Sequence, residues 1–175
     1  YRMLIIADLK KFSFSELRTC TSAGEPLNPE VIRIWKEGTG ITIREGYGQT
    51  ETCCCLATMP GMEVRQGSMG KPVPGWHIQL HDDEGNEVPQ GEIGRIAISL
   101  NPRPAGLIRE YLDNPEENAA MFVNGWYYTG DKARMDEDGY FWFVGRNDDV
   151  SKSSGYRSSP FEVESALLEH PAVKE

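Results

Sequence analysis

A strand–helix–strand pattern near the start of the chain constrains the fold more than any other feature. Residues 17–22 have the pattern of a short strand, and Asn28 followed by Pro29 starts a helix, because asparagine caps free N–H groups and proline fits the first helical position. Residues 38–40 (Gly-Thr-Gly) end that helix, and residues 40–44 alternate apolar and polar like a strand. The pattern predicts an α/β unit, in which ligand sites collect at the carboxyl ends of strands.

The residues directly after the second strand carry the most ligand-like chemistry: Arg44-Glu45-Gly46-Tyr47-Gly48-Gln49-Thr50-Glu51-Thr52. Two glycines flank a tyrosine, so the backbone can pass close to a flat ligand while the ring offers a stacking face. The glutamine and a threonine offer hydrogen bonds, and Glu51 offers a carboxylate for a hard cation. These residues suit a nucleotide with magnesium, although a strand-to-loop turn with a surface glutamate also explains them. Residues 52–57 contain no break and are expected to continue as a helix or a tight turn.

The middle of the chain favours a small antiparallel β unit, a sandwich or a barrel, because alternating segments are separated by Asp- and Gly-rich turns. We predict strands at 76–80, 92–100, 126–128 and 140–144, a short helix at 115–122, and turns at 82–86 and 136–139. Residues 67–75 are rich in glycine and proline and have too few apolar residues to form an element.

The predicted fold class is α/β, in three parts. Residues 1–60 are expected to be the end of a large α/β domain, residues 61–147 its antiparallel β subdomain, and residues 148–175 the start of a small α+β C-terminal domain. A polar linker at 145–160 leads into that last part, where Ser159-Pro160 starts a helix. Because the chain begins at Tyr1 and stops in mid-course, we expect it to be a segment of a longer protein.

Composition limits the partners and the compartment. The net charge of -9 argues against nucleic acid as the main partner, since phosphate contacts need a basic face. Cys20 and the adjacent cysteines at 53–55 lack the spacing of a zinc site or a disulfide framework, so we expect buried thiols in a reducing compartment, the cytoplasm or the mitochondrial matrix. No apolar run is long enough to span a bilayer as a transmembrane segment.

Three charged side chains elsewhere are candidate ligand contacts, each with an ordinary alternative. Asp131 follows a predicted strand, where one carboxylate can accept hydrogen bonds from two ribose hydroxyls, but taken alone a turn aspartate is the simpler interpretation. Arg146 follows an apolar strand and could bind ribose or phosphate, or pair with Asp148 or Asp149. Arg157 could likewise bind an anionic ligand or form an ordinary ion pair.

Several motifs occur in a fixed order along the chain. They read Thr21-Ser22-Ala23-Gly24-Glu25-Pro26-Leu27, Gly46-Tyr47-Gly48-Gln49-Thr50-Glu51, Gly67-x-x-Gly70-Lys71-Pro72-x-Pro74-Gly75, Tyr128-Thr129-Gly130-Asp131, Gly145-Arg146-x-Asp148-Asp149 and Ser154-Gly155-Tyr156-Arg157-x-x-Pro160-x-Glu162-Val163-Glu164. The ordered set resembles the adenylate-forming superfamily of acyl- and acetyl-coenzyme A synthetases, and is most similar to the medium-chain acyl-CoA synthetases. The resemblance covers almost the whole chain.

The resemblance implies a role for each matching residue. ATP or AMP is expected to contact Gly24, Glu25, Pro26, Glu45, Gly46, Tyr47, Gly48, Gln49, Thr50, Asp131, Arg146 and Arg157. Within this set Tyr47 would lie against the adenine, Thr50 at the α-phosphate, and Asp131 with Arg146 at the ribose. The implied catalytic residues are Thr50, Glu51 and Arg157, with Glu51 as the magnesium ligand. Ser154, Gly155 and Tyr156 are implied to line the coenzyme A channel, and Asp148 to be the hinge of the C-terminal domain.

The implied reaction is a ligation in two steps that uses ATP, Mg2+ and coenzyme A. A carboxylate attacks the α-phosphate of ATP to give acyl-AMP and pyrophosphate, and the thiol of coenzyme A then displaces AMP to give the thioester. The expected acid is a medium-chain fatty acid or a small aromatic acid. The alternatives are an adenylation module that loads a carrier protein and a non-catalytic nucleotide-binding segment.

The chain departs from the family pattern in two respects. The phosphate-binding loop and the catalytic lysine have no match and are expected before Tyr1 and after Glu175, so the segment alone is expected to be inactive. Ser151, Ser158 and Ser159 stand where the family has apolar residues or an aliphatic residue followed by glycine, which is expected to weaken the packing of the small domain's first strand.

Overall fold

A computed structural model describes residues 1–25 and 27–146, the backbone of 151–153 and 156–158, and Leu167. Two short 3-10 helices, Leu4–Ile6 and Leu9–Lys11, precede the first strand. The elements that follow are β1 (Cys20–Ser22), α1 (Pro29–Thr39), β2 (Ile43–Gln49), β3 (Cys53–Ala57), β4 (Ser68–Pro72), β5 (Ile78–His81), β6 (Ile93–Ser99), α2 (Pro115–Met121), β7 (Phe122–Val123), β8 (Trp126–Met135), β9 (Phe141–Arg146), β10 (Ser151–Ser153) and β11 (Tyr156–Ser158).

One mixed sheet joins the strands up to β9. Its order is β1-β2-β3-β4-β9-β8-β6-β5, with β7 also paired to β8. The β1 and β2 pair is parallel, and α1 is the crossover element that a parallel pair requires. The other neighbours in the sheet are antiparallel. The predicted α/β fold class is confirmed.

Helix α1 begins and ends where the sequence predicts. Asn28 Oδ1 accepts a hydrogen bond from the Glu30 N–H at 2.7 Å, and Pro29 occupies the first helical position. At the other end Gly40 adopts a φ of 77°, and its N–H donates to the Lys36 carbonyl at 2.8 Å. Both caps satisfy backbone groups that a helix end leaves without partners.

Two hydrophobic clusters form the core of the described residues. The cluster around α1 contains Leu9, Cys20, Leu27, Val31, Ile32, Trp35 and Ile43. The cluster on the antiparallel strands contains Cys55, Leu56, Met69, Leu80, Ile96, Ile98, Leu107, Tyr127, Ala133 and Phe141. Because β3 pairs with β4, the sheet runs without interruption past residue 60, where a subdomain border is predicted.

Strand β3 corrects the expectation for residues 52–57. The chain does make a tight turn, in which the Thr52 N–H donates to the Gln49 carbonyl at 3.1 Å. It then returns as a strand antiparallel to β2 instead of continuing as a helix. Three adjacent cysteines are not a typical strand signal, which is why the hairpin was not predicted; Cys53 and Cys54 are exposed thiols, whereas Cys20 and Cys55 are buried as expected.

Strands β4 and β8 also differ from the prediction. Residues 67–75 were expected to form no element, but β4 passes so close to β3 that a β-carbon on Gly70 would overlap the Ala57 carbonyl, so glycine is what permits the pairing. The strand predicted at 126–128 continues to Met135, because Gly130 accommodates a φ of 78° within it. Asp131 is therefore an internal strand residue, not a turn residue.

Much of the predicted C-terminal part lies outside the described residues. This applies to the proposed hinge Asp148, to Ser154 and Gly155, and to the helix start at Ser159-Pro160. Strands β10 and β11 pair antiparallel, so the polar linker predicted at 145–160 contains a two-stranded sheet.

Candidate functional site

Strands β2, β8 and β9 surround a cavity of about 300 Å3. In a flat sheet the four strand steps from β2 to β8 would separate them by about 19 Å, since strands lie roughly 4.8 Å apart. The Tyr47 hydroxyl of β2 nevertheless contacts Asp131 of β8, so the sheet curves and its concave face forms the cavity. We call this space the first cavity; it is lined by Gly24, Glu25, Glu45, Gly46, Tyr47, Gly48, Gln49, Gly67, Ser68, Met69, Asp131, Phe143 and Arg146.

Asp131 is the central polar group of the first cavity and is only 5% exposed. Its Oδ2 accepts hydrogen bonds from the Tyr47 hydroxyl at 2.5 Å and from Gln49 Nε2 at 2.8 Å. Its Oδ1 accepts none from the residues described. Burial raises the pKa of the Asp131 carboxyl, and the two donors and the charge of Arg146 offset part of that rise. One carboxylate oxygen is thus saturated, and the other is left for a ligand.

The Tyr47 ring does more than line the cavity. Burial first, and then the negative charge of Asp131, raise the pKa of its phenol, so the hydroxyl stays protonated and keeps donating. Arg146 lies directly across from Asp131 on β9, with Nη1 3.8 Å from Asp131 Oδ1, and its side chain is 53% exposed. A half-exposed guanidinium beside an unsaturated carboxylate oxygen can attract an anion to the mouth of the cavity.

Glu45 holds the walls of the first cavity together. Its Oε1 accepts from the Leu27 N–H at 3.1 Å, and its Oε2 accepts from the Gly67 N–H at 3.0 Å. Burial raises the pKa of this carboxyl, and the two backbone donors oppose the rise. The carboxylate therefore joins β2 to the segments that precede α1 and β4, and both of its oxygens have protein partners.

Replacing Glu45 with glutamine should lower the free energy of unfolding by about 1–3 kcal/mol, because the new amide NH2 would face a backbone N–H that has lost its acceptor. Denaturant titration measures the change. Glu37→Gln is the matched control, since it removes only an exposed ion pair to Arg33 and should cost less than about 0.5 kcal/mol. Equal effects of the two substitutions would contradict the bracing role of Glu45.

A second cavity of about 410 Å3 adjoins the first and shares Gln49 and Arg146 with it. Its lining residues are Gln49, Thr50, Glu51, Tyr111, Glu117, Met121, Thr129 and Arg146. Because Gln49 and Arg146 line both cavities, one extended ligand could contact both. Two carboxylates, Glu51 and Glu117, line the second cavity, so it suits an anionic group that is bound together with a cation.

Glu51 is suited to hold a magnesium ion together with a bound phosphate. Its Oε1 accepts a hydrogen bond from the Tyr111 hydroxyl at 3.2 Å, and its Oε2 has no donor among the described residues. Magnesium is commonly bound by one or two carboxylates plus substrate phosphates and water. The described part of the chain contains no cluster of three or more His, Cys, Asp and Glu residues that could hold a metal, so the phosphates would have to supply further ligands.

The hairpin itself constrains the two glycines beside Tyr47, Gly48 much more strongly than Gly46. A β-carbon on Gly48 would overlap the Cys53 carbonyl oxygen, and one on Gly46 would lie 3.1 Å from both Cys54 Sγ and the Leu56 carbonyl oxygen. The predicted reason for these glycines was a close approach of a ligand. The structure adds the close approach of β3 as a physical cause, with a register shift between Tyr47 and Gly48.

The structure brings most of the described candidate residues together. Gly24, Glu25, Glu45, Gly46, Tyr47, Gly48, Gln49, Asp131 and Arg146 line the first cavity, and Thr50 and Glu51 line the second. Glu25 also forms an ion pair with Arg2 at 3.3 Å. Pro26, Asp148, Ser154 and Gly155 lie outside the described residues, as do the side chains of Tyr156 and Arg157.

Several lining residues were missed from the sequence. They are Gly67, Ser68, Met69 and Phe143 in the first cavity and Tyr111, Glu117, Met121 and Thr129 in the second. The motif at 67–75 was noticed but received no site role; it was the available signal for Gly67, Ser68 and Met69, as the motif at 128–131 was for Thr129. The others reach the cavities through strand pairing, through α2 and through the loop before it, and no local pattern marks them.

The chain was compared with known proteins. The family described as AMP-binding enzyme matches residues 1–112. Over 176 aligned positions the chain is 57% identical to the 4-hydroxybutyrate–CoA ligase 1 of Metallosphaera sedula and 52% identical to the mitochondrial acyl-coenzyme A synthetase ACSM3 of Rattus norvegicus. Each match covers 100% of this chain but only 31% and 30% of the respective relative.

A solved structure has the same fold. The crystal structure of the anthranilate CoA ligase AuaEII in complex with anthranoyl-AMP matches with a TM-score of 0.86 at 42% identity, over 98% of this chain and 33% of that one. The chain thus spans about a third of the length of the proteins it matches. Within the residues that the structure describes, no helix has the length and apolarity needed to cross a membrane.

Proposed function

Since the chain belongs to the AMP-binding enzyme family, we propose that it is a segment of an AMP-forming acyl-CoA ligase. The observation that carries the proposal is the hydrogen bonding of the Asp131 carboxylate. A buried carboxylate has one oxygen saturated by Tyr47 and Gln49, while the other faces a cavity lined by the family's own motif. The Arg146 guanidinium lies 3.8 Å from that oxygen, beyond hydrogen-bond distance, so the oxygen can still accept hydrogen bonds from a ligand. The two hydroxyls of a ribose are suitable donors.

The two adjoining cavities define a binding mode for ATP. In this proposal adenosine lies in the first cavity, with the base between the Tyr47 ring and the Gly24–Glu25 wall and the ribose on Asp131. The phosphates extend past Arg146 into the second cavity. There the Thr50 hydroxyl donates to the α-phosphate, and Glu51 would hold a magnesium ion that supplies charge neutralisation.

The two-step ligation depends on the correct placement of the substrates and needs no nucleophilic side chain of the protein. In the first step a carboxylate oxygen of the acid bonds to the α-phosphorus of ATP, and the bond to the bridging oxygen of the leaving pyrophosphate breaks. In the second step the thiol of coenzyme A attacks the acyl carbon, and AMP and a proton leave. Thr50 and Arg157 act by holding the phosphate in line and by stabilising negative charge, and Arg146 supports the ribose.

We assign the remaining roles by the family resemblance. Pro26 completes the adenine wall, Arg157 contacts phosphate, Asp148 is the hinge, and Ser154, Gly155 and Tyr156 line the coenzyme A channel. The proposed subdomains remain 1–60, 61–147 and 148–175. A reducing compartment, the cytoplasm or the mitochondrial matrix, fits four free cysteines of which two are exposed.

The proposed acid is a medium-chain fatty acid or a small aromatic acid. The similar proteins are a ligase of 4-hydroxybutyrate and a ligase of anthranilate, which are a short acid and a small aromatic one. A panel of acids assayed with the full-length protein identifies the substrate.

We expect the full-length protein to release pyrophosphate and AMP from ATP only when a suitable acid and Mg2+ are present. Glu51→Gln should lower kcat/KM for ATP by about 100-fold at limiting Mg2+, because it removes the carboxylate proposed to hold the cation. Coupled assays for pyrophosphate and separate quantification of AMP and ADP measure both effects. Release of ADP, or turnover that does not depend on the acid, would contradict the proposal.

The thiol acceptor is tested separately. Formation of acyl-CoA with free coenzyme A supports the ligase assignment. Acylation of a phosphopantetheinyl carrier protein in place of coenzyme A would instead identify an adenylation module.

A further inference from the structure

Tyr111 contacts the Glu51 side chain and comes from a loop that the family motifs do not include. Its hydroxyl donates to Glu51 Oε1 at 3.2 Å, and the Tyr127 hydroxyl lies 3.1 Å from the same Tyr111 oxygen. Tyr111 has one hydroxyl proton, which goes to the carboxylate, so Tyr127 must donate to Tyr111.

The Tyr111 segment is held rigidly at its backbone. The Tyr111 N–H donates to Asn118 Oδ1 at 2.7 Å, and Asn118 Nδ2 donates back to the Tyr111 carbonyl at 2.8 Å. Asn118 belongs to α2, whose Asn114 cap accepts from the Glu117 N–H at 3.2 Å. Helix α2 therefore fixes the position from which the Tyr111 hydroxyl reaches Glu51.

The same segment also forms a hydrogen bond with the main chain of Glu51. The Ile108 N–H donates to the Glu51 carbonyl at 2.8 Å. Glu51 is thus held at its backbone by Ile108 and at one carboxylate oxygen by Tyr111. The Glu51 side chain has several rotamers to choose from, and this pair of contacts selects the one in which Oε2 is left for a cation.

We propose that Tyr111 is a positioning residue that orients the Glu51 carboxylate for the metal–nucleotide complex. The inference rests on the proposed function of Glu51 as a magnesium ligand. Groups that hydrogen-bond a metal ligand fix its orientation, and their removal typically costs about 10–100-fold in metal affinity. The Tyr111 bond is long and near the surface, so the low end of that range applies.

The test compares Tyr111→Phe with wild type in the full-length protein. The substitution removes the hydroxyl and keeps the ring that packs on the core cluster of the antiparallel strands. Binding of Mn2+ in the presence of a non-hydrolysable ATP analogue, measured from the free-ion EPR signal, should weaken by about 10-fold. In steady-state assays the apparent KM for Mg2+ should rise similarly, and excess Mg2+ should restore kcat.

Two further variants provide the controls. Tyr140→Phe removes a hydroxyl from another buried tyrosine, one that donates to the Glu63 carbonyl at 2.8 Å, and it should leave Mn2+ affinity unchanged. Glu51→Gln should weaken Mn2+ binding at least as much as Tyr111→Phe does.

The outcomes separate the inference from the function on which it rests. If Glu51→Gln loses Mn2+ and Tyr111→Phe binds it like wild type, the positioning role is overturned and the metal role of Glu51 stands. If Glu51→Gln binds Mn2+ like wild type, the metal role itself fails. A loss of thermal stability in Tyr111→Phe without a change in Mn2+ affinity would make Tyr111 merely structural.

Discussion

Replacing Asp131 with alanine is expected to raise the KM for ATP by about 10- to 100-fold. The Oδ1 atom of this carboxylate is the acceptor that the first cavity offers to a ribose, and hydrogen bonds to a charged group contribute about 1.5–3 kcal/mol each. The change is measured in steady-state assays with the acid and Mg2+ held at saturation. Asp83→Ala removes an aspartate whose side chain is 77% exposed and lines neither cavity, and it should leave the KM for ATP unchanged.

Asp131→Asn tests the charge of this side chain, because asparagine has nearly the same shape as aspartate but no charge. An asparagine oxygen can still accept from Tyr47 and Gln49, so the fold should survive while ATP binding weakens. Burial raises the pKa of Asp131, so ionising it in the folded, ligand-free protein costs free energy. The contribution of Asp131 to the free energy of unfolding is therefore fully present below the ordinary aspartate pKa and is lost as the pH rises through the raised pKa of the folded state. At neutral pH the ligand-free asparagine variant should melt a few degrees higher, by about 1–4 °C. A lower melting temperature at every pH would contradict this account of Asp131.

Replacing Gly48 with alanine should disrupt the site through the hairpin. The new β-carbon would overlap the Cys53 carbonyl oxygen, which is backbone and cannot rotate away. We expect a loss of about 3 kcal/mol in the free energy of unfolding, because strand β3 must move away from β2. Gln49 and Tyr47 flank this position, so their bonds to Asp131 should be disturbed and the KM for ATP should rise as well.

Gly46→Ala is the matched control for Gly48→Ala. Both glycines belong to β2, but the new β-carbon at Gly46 would meet Cys54 Sγ and the Leu56 carbonyl oxygen at 3.1 Å, a contact that small shifts relieve. We expect it to cost about 1 kcal/mol or less. Equal destabilisation by the two substitutions in denaturant titrations would show that steric contact with β3 is not the reason for glycine at position 48.

The parts of the fold that depend on local signals could be predicted from the sequence. The Asn28 cap, the Pro29 start and the Gly40 end define α1 because each acts on backbone groups within one helical turn. Strand β2 was predicted only in part. Alternation indicated a strand at residues 40–44, but the strand runs from Ile43 to Gln49, so most residues expected to follow it belong to it. Strand β4 could not be predicted in this way, because it depends on Gly70 passing close to Ala57, which is distant in sequence.

The residues of the site could also be predicted where a local motif marks them, but their contacts could not. Tyr47, Gln49 and Asp131 were identified as candidates from their motifs, but the hydrogen bonds that leave Asp131 Oδ1 for a ligand depend on the curvature of the sheet. Strands β3 and β4, which lie between β2 and β9 in the sheet, were not predicted from the sequence. Tyr111 had no local signal at all, because its role depends on a loop anchored by Asn118.

The most direct test of the central claim is the discrimination between ATP and 2′,3′-dideoxy-ATP by wild type and Asp131→Ala. If Asp131 receives the ribose hydroxyls, wild type should favour ATP over the dideoxy analogue by about 10- to 100-fold in kcat/KM. The variant should lose most of that preference, because it lacks the carboxylate to which the hydroxyls of ATP would donate. The free-energy losses in kcat/KM caused by the Asp131→Ala substitution and by removal of the ribose hydroxyls would then not be additive. A variant that keeps the full wild-type preference for ATP would contradict the assignment of the first cavity as the adenosine site.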